Sequence, residues 1–173
     1  MRALRREHSG PLHFAGVGGP SMQAEGLHSL FPMEELSVMG FAEVLPRLLS
    51  LRSRLHQSLA AVRELRPSVV LGIDSKAFCL RLLRALADER REKARGSSSA
   101  GRGSTRGPAL IQYVAPSAWA FRDADQRAAR LAETGLDELL LLLPFEAVRA
   151  DVPSEPQTRG SALGLRLTHV RVP

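Results

Sequence analysis

The sequence predicts an α/β fold built on a parallel, Rossmann-like sheet, and three observations carry that expectation. Ser68–Ile73 (SVVLGI), Ala109–Val114 (ALIQYV) and Leu139–Leu143 are short apolar runs of strand length. Amphipathic or polar helical stretches separate them. Strands alternating with helices at this spacing form βαβ units, whose sheet is covered on both faces.

Taken in order, Met1–Arg6 reads as the tail of a helix, because no apolar run of signal-peptide length follows its arginines. Pro11–Val17 reads as a short strand ended by Gly18-Gly19-Pro20, a combination that forces a sharp turn and exposes backbone N–H groups. A short helix or turn over Ser21–Gly26 and an apolar stretch over Leu30–Leu36 come next. Leu48, Leu51, Leu55, Leu59 and Val62 then recur at spacings of three and four, the signature of an amphipathic helix. Pro46 suits its N1 position and Pro67 closes it.

Asp74 follows the SVVLGI strand, and a helix running from Phe78 turns polar through Ala87–Arg95. Gly96–Gly107 (GSSSAGRGSTRG) is low-complexity and reads as a flexible loop insertion. A helix is expected from about Asp123 to Glu133, ahead of the last strand. The segment after Asp151 shows no period and many turn formers, so no structure is assigned to it.

Composition narrows the function classes. Of 173 residues, 44% are hydrophobic and 24% charged, the balance of a folded domain. The net charge of +6 lies mostly on scattered arginines, and aromatics are only 5%, which argues against a nucleic-acid surface. The single cysteine, Cys79, excludes an intrachain disulfide framework. His8, His13, His28, His56 and His169 have no metal-ligand spacing, and no Gly-x-Ser-x-Gly nucleophile motif occurs.

Ligands of an open parallel sheet bind beyond the carboxyl ends of its strands. Gly18-Gly19-Pro20, Asp74, Ala115–Trp119 and Pro144–Glu146 all fall there. Each has a structural reading of its own: a turn, a helix cap, a core tryptophan and a helix-start carboxylate. The functional reading makes Asp74 a general base, a partly desolvated carboxylate able to take the proton of an attacking sugar hydroxyl.

GVGGPSMQAEG at 16–26, MEELSVMGFAEVLPRL at 33–48, GIDSKAF at 72–78, YVAPSAWAF at 113–121 and LLPFE at 142–146 occur together and in order. In these strings the chain resembles lipid-A-disaccharide synthase, from about Phe14 to Glu146. The resemblance implies a glycosyltransferase of two Rossmann-like domains, the GT-B arrangement. Such an enzyme moves 2,3-diacylglucosamine from UDP to the 6-hydroxyl of 2,3-diacylglucosamine 1-phosphate (lipid X), inverting the anomeric centre without a metal or other cofactor.

The resemblance puts the base on Asp74, and substrate contacts are expected at Gly18, Gly19, Ser117, Trp119, Arg122 and Glu146. It also implies an exposed apolar helix that meets acyl chains or a membrane surface, here Met39, Phe41, Val44, Leu45, Leu48 and Leu51. Nearby Arg47, Arg52 and Arg54 are placed to pair with lipid phosphate.

The chain departs from the family pattern in several places. The family's opening Gly-Glu-x-Ser-Gly-Asp loop is absent, Ala77 stands where a second Asp is usual, and Phe121 replaces a usual Trp. The Asp-Ser-Lys variant resembles the plant and algal branch, which implies a mitochondrion; a bacterial protein of this kind is peripheral on the inner membrane. After LPFE no family motif follows. The expected organisation is thus an acceptor-side domain over 1–150 without its first βα unit, an unmatched tail over 151–173, and no donor-binding domain. A transferase must hold both substrates together, so this polypeptide alone is expected to be inactive. The competing readings are a non-catalytic lipid- or membrane-binding remnant, and another sugar-nucleotide enzyme such as an epimerase.

Overall fold

The computed structural model describes residues 1–36, 44–96, 107–114, 133–141 and 166–169. Its elements run α1 (Arg2–Glu7), β1 (Phe14–Gly16), α2 (Pro20–Ala24), β2 (Leu27–Ser29), a 3-10 turn (Met33–Leu36), α3 (Val44–Leu65), β3 (Val69–Ile73), α4 (Lys76–Gly96), β4 (Ala109–Tyr113), β5 (Glu138–Leu141) and β6 (Arg166–His169). Both sheets are parallel, as an α/β fold requires. The chain divides into two compact units, Met1–Ala61 and Val62–Pro173.

In the first unit β1 and β2 pair over three residues, Phe14 with Leu27 through Gly16 with Ser29. A two-stranded ladder this short is marginal alone, so side chains must hold it. Arg5 lies 5.3 Å from the centre of the Phe14 ring, and Arg2 pairs with Glu25 at 2.6 Å. Arg54 of α3 forks onto Glu35 at 2.6 and 2.8 Å and lies 5.0 Å from the centre of the buried Phe31 ring. Gln57 donates to the Leu30 carbonyl at 3.2 Å. These bonds tie α3 to the MEEL turn. They also correct the expectation for Arg54, whose guanidinium is taken by Glu35 and not free for lipid phosphate.

α3 begins two residues before Pro46, which still falls in the first turn, where a missing N–H costs nothing. Its apolar stripe grades inward, Leu51 and Leu55 half-buried and Leu59 buried, while Leu49 is 71% exposed. The helix stops at Arg66, which adopts a left-handed φ of 45° while its N–H reaches the Val62 carbonyl at 3.0 Å; Pro67 then prevents continuation.

The second unit is a four-stranded sheet in the order β3-β4-β5-β6. The register sets Val69 beside Ala109, Ile111 beside Glu138 and Glu138 beside Arg166. α4 packs on β3 and β4, burying Phe78, Leu83, Leu86 and Ala87 against Leu110. Leu83, Leu110 and Leu139 are each no more than 2% exposed. Burial of each such leucine stabilises by about 1.5–3 kcal/mol.

Two findings differ from the sequence expectation. β3 is not buried on both faces: Val69, Leu71 and Ile73 are 46–50% exposed, because β3 ends the strand order and only its Gly72 face meets α4. Residues after Asp151, to which the sequence assigns no structure, contribute β6.

Candidate functional site

β3 and β4 run side by side to the same rim, with Ile73 opposite Tyr113. The ladder extends one bond past the strands, since the Asp74 N–H donates to the Tyr113 carbonyl at 3.0 Å and the Val114 N–H to Leu140 at 3.0 Å. Both residues then turn left-handed, Asp74 at φ 52° and Val114 at φ 73°. Aspartate tolerates that conformation; a β-branched valine does not, and such strain costs about 1–3 kcal/mol per residue. The turn carries Asp74 off the strand axis and leaves it exposed at the rim. The described residues therefore do not supply the partial desolvation expected of its carboxylate.

Under the rim lies Gln112, the one amide of β4 and only 1% exposed. Its Nε2 donates to the carbonyls of Asp74 (3.1 Å), Tyr113 (3.1 Å) and Val114 (3.4 Å). Gly72 makes room for it, since a Cβ there would stand 2.5 Å from Gln112 Oε1 and 3.0 Å from both Cys79 and Leu83. Sequence reasoning passed over Gln112, although an amide inside ALIQYV was a visible anomaly.

Half-buried Cys79 sits one turn into α4 with its thiol 3.8 Å from the Ile73 carbonyl. Burial pushes this thiol above its ordinary range; the hydrogen bond to Ile73 opposes that and the Asp74 charge adds to it.

Gly18 and Gly19 belong to the first unit, where they line an open depression of about 300 Å³ with Pro20, Gln23, Phe31 and Glu34. Packing is close at Gly18: a Cβ would fall 2.5 Å from a Leu27 methyl and 2.8 Å from the Met22 sulfur, so both side chains would have to shift to admit one. Gln23 holds the loop by donating to the Gly18 carbonyl at 3.1 Å.

Of the remaining expected contacts, Met39, Phe41, Ser117, Trp119, Arg122 and Glu146 lie outside the described residues. Val44, Leu45 and Leu48 fall in the first turns of α3, but their side chains lie outside the description; Leu51 is half-buried. Among the described residues no group of His, Cys, Asp or Glu side chains is arranged to hold a metal. No helix among them is long and apolar enough to cross a membrane.

Residues 1–149 match the family model for lipid-A-disaccharide synthetase. The chain is 47% identical over 146 residues to a lipid-A-disaccharide synthase of Rhodospirillum centenum, covering 84% of this chain and 32% of that protein. A synthase of the same name from Pseudomonas fluorescens is 43% identical over 147 residues, covering 85% of this chain and 33% of the relative. A probable mitochondrial lipid-A-disaccharide synthase of Arabidopsis thaliana is 38% identical over 146 residues, covering 84% and 30%. The chain thus spans about a third of the length of the curated relatives it matches. With residues 1–149 matched to one family model and relatives up to 47% identical over most of its length, the chain belongs to the lipid-A-disaccharide synthetase family.

Proposed function

We propose that these residues form the acceptor-side, Rossmann-like domain of a GT-B glycosyltransferase of lipid A biosynthesis. That enzyme transfers 2,3-diacylglucosamine from UDP to the 6-hydroxyl of lipid X, and Asp74 is its general base. The carboxylate accepts the hydroxyl proton as the oxygen attacks the donor's anomeric carbon; the new glycosidic bond forms, the bond to phosphate breaks, and UDP leaves with its electrons from the opposite face. The remaining two thirds of the matched relatives is where a UDP-holding domain would lie. The observation that carries this reading is Asp74 itself, exposed in a locked left-handed turn at the carboxyl rim of a parallel sheet.

UDP release with lipid X and UDP-2,3-diacylglucosamine, measured on the enzyme carrying these residues, tests the proposal. Asp74→Asn should lower kcat by about 10²–10⁴-fold, the range of a general base, with the fold retained. A kcat within threefold of the parent, allowing about that margin for scatter, removes Asp74 from the mechanism.

The same reading places the start of α3 at the lipid surface, a role favoured by Leu49 standing 71% exposed there. Replacing Leu48 and Leu51 together with Ser should cut co-sedimentation with anionic liposomes by about threefold or more. Unchanged sedimentation returns this helix face to ordinary packing.

A further inference from the structure

We infer that Gln112 is a positioning residue for Asp74, its buried amide holding the backbone turn that aims the carboxylate. The inference rests on the reading of Asp74 as the base. An amide that is 1% exposed needs partners, and among the described residues this one finds them on the rim: the carbonyls of Asp74, Tyr113 and Val114. Three acceptors on one side fix which end of the amide faces them, because Oε1 in that place would meet three carbonyl oxygens.

That orientation is bought with a defect. Oε1 faces the Gly72 side, buried and without a partner among the described residues. A methionine of similar length would fill the same volume without the unmet Oε1 but would take the donor from the rim carbonyls, so what the glutamine adds is delivered at the rim. Two of the three residues it reaches, Asp74 and Val114, are also the two that leave the strands left-handed. Strained turns persist only where surrounding contacts over-determine them, and strain of this kind concentrates at functional sites. With its N–H held by the Tyr113 carbonyl and its own carbonyl held by Gln112, the Asp74 backbone is restrained on both sides, and with it the direction in which the Cα–Cβ bond leaves the rim.

The test is Gln112→Met in the enzyme carrying these residues, with kcat, KM and backbone NMR of Asp74 read together. The variant should fold, keep KM within about twofold and lose kcat by about 10–100-fold, as an ångström of misplacement does. The Asp74 Cα and Cβ shifts should leave the left-handed range. In an Asp74→Asn background Gln112→Met should lower the residual rate no further, whereas a merely structural residue would add its own loss. A folded Gln112→Met with parental kcat overturns the inference.

Should the Met variant not fold, Gln112→Glu decides. Its protonated carboxyl can still donate one hydrogen bond to the rim and its carboxylate cannot, so the ratio of its kcat to the parent's at the same pH should be near one at low pH and fall as pH rises; a ratio independent of pH overturns the inference. Failure of the base reading shows separately, as retained kcat in Asp74→Asn alone.

Discussion

At the amino rim of the four-stranded sheet, Asp137 Oδ2 accepts from Arg90 at 2.7 Å and from the Leu110 N–H at 2.8 Å. Arg90 also donates to the Gly135 carbonyl at 3.0 Å, and the Asp137 N–H returns a bond to Leu110 at 2.9 Å. Among the described residues the left-handed ones on this side are Gly135, at φ 69°, and Arg66, whose φ of 45° ends α3 ahead of β3. At the carboxyl rim the conditions reverse. Two non-glycine residues are left-handed, one neutral amide spans three carbonyls, and a buried oxygen goes unmet. One rim is arranged for stability; the other accepts strain to hold an aspartate in place.

The contrast can be broken from either side. Asp137→Ala should be the most damaging to the fold, because it orphans the Leu110 N–H; the exposed part of the ion pair adds little, and the loss should be about 1–3 kcal/mol in urea denaturation. No change would mean the amino rim is not what holds β4 to β5.

Val114→Gly should act in the opposite sense, since glycine adopts φ 73° without steric cost. A stability gain of up to about 1 kcal/mol is expected, with kcat reduced as the rim slackens. A stability loss would show that Val114 contributes packing that outweighs its strain.

The smallest effect concerns Cys79. Its thiol is raised in the folded state, so folding favours the protonated form. That contribution is present below the ordinary thiol range and is lost as pH rises through it, so stability should decline across that window and Cys79→Ala should flatten the decline. Because Asp74 adds to the shift, Asp74→Asn should quicken iodoacetamide alkylation of Cys79 at pH 8 by about twofold. An unchanged rate would mean the two groups do not sense each other.

Much of this was legible in the residues. The leucine spacing of α3 and the β-branched or apolar runs of β3 and β4 specify their periods locally, so helix and strands appear close to where the sequence puts them. Asp74 was legible by position, as the polar residue that ends an apolar strand. β6 was not, because Arg166–His169 has no pattern of its own and is a strand only by pairing with β5. β1 and β2 were blurred for the same reason, three residues being too few to carry a period. The role of Gln112 was hidden more deeply. It depends on the left-handed turn at Val114, and valine's own preference argues against that turn.

The glycine at 72 has a consequence for how this protein can vary. Its missing Cβ is the space that the Gln112 oxygen occupies, so the two positions are a lock and its wards on neighbouring strands. A methyl group at 72 would press on Gln112 first and on Cys79 and Leu83 next, and an amide at 112 displaced or shortened to make room loses its hold on the carbonyls above it. Drift at either site alone is therefore transmitted to the aspartate without touching it.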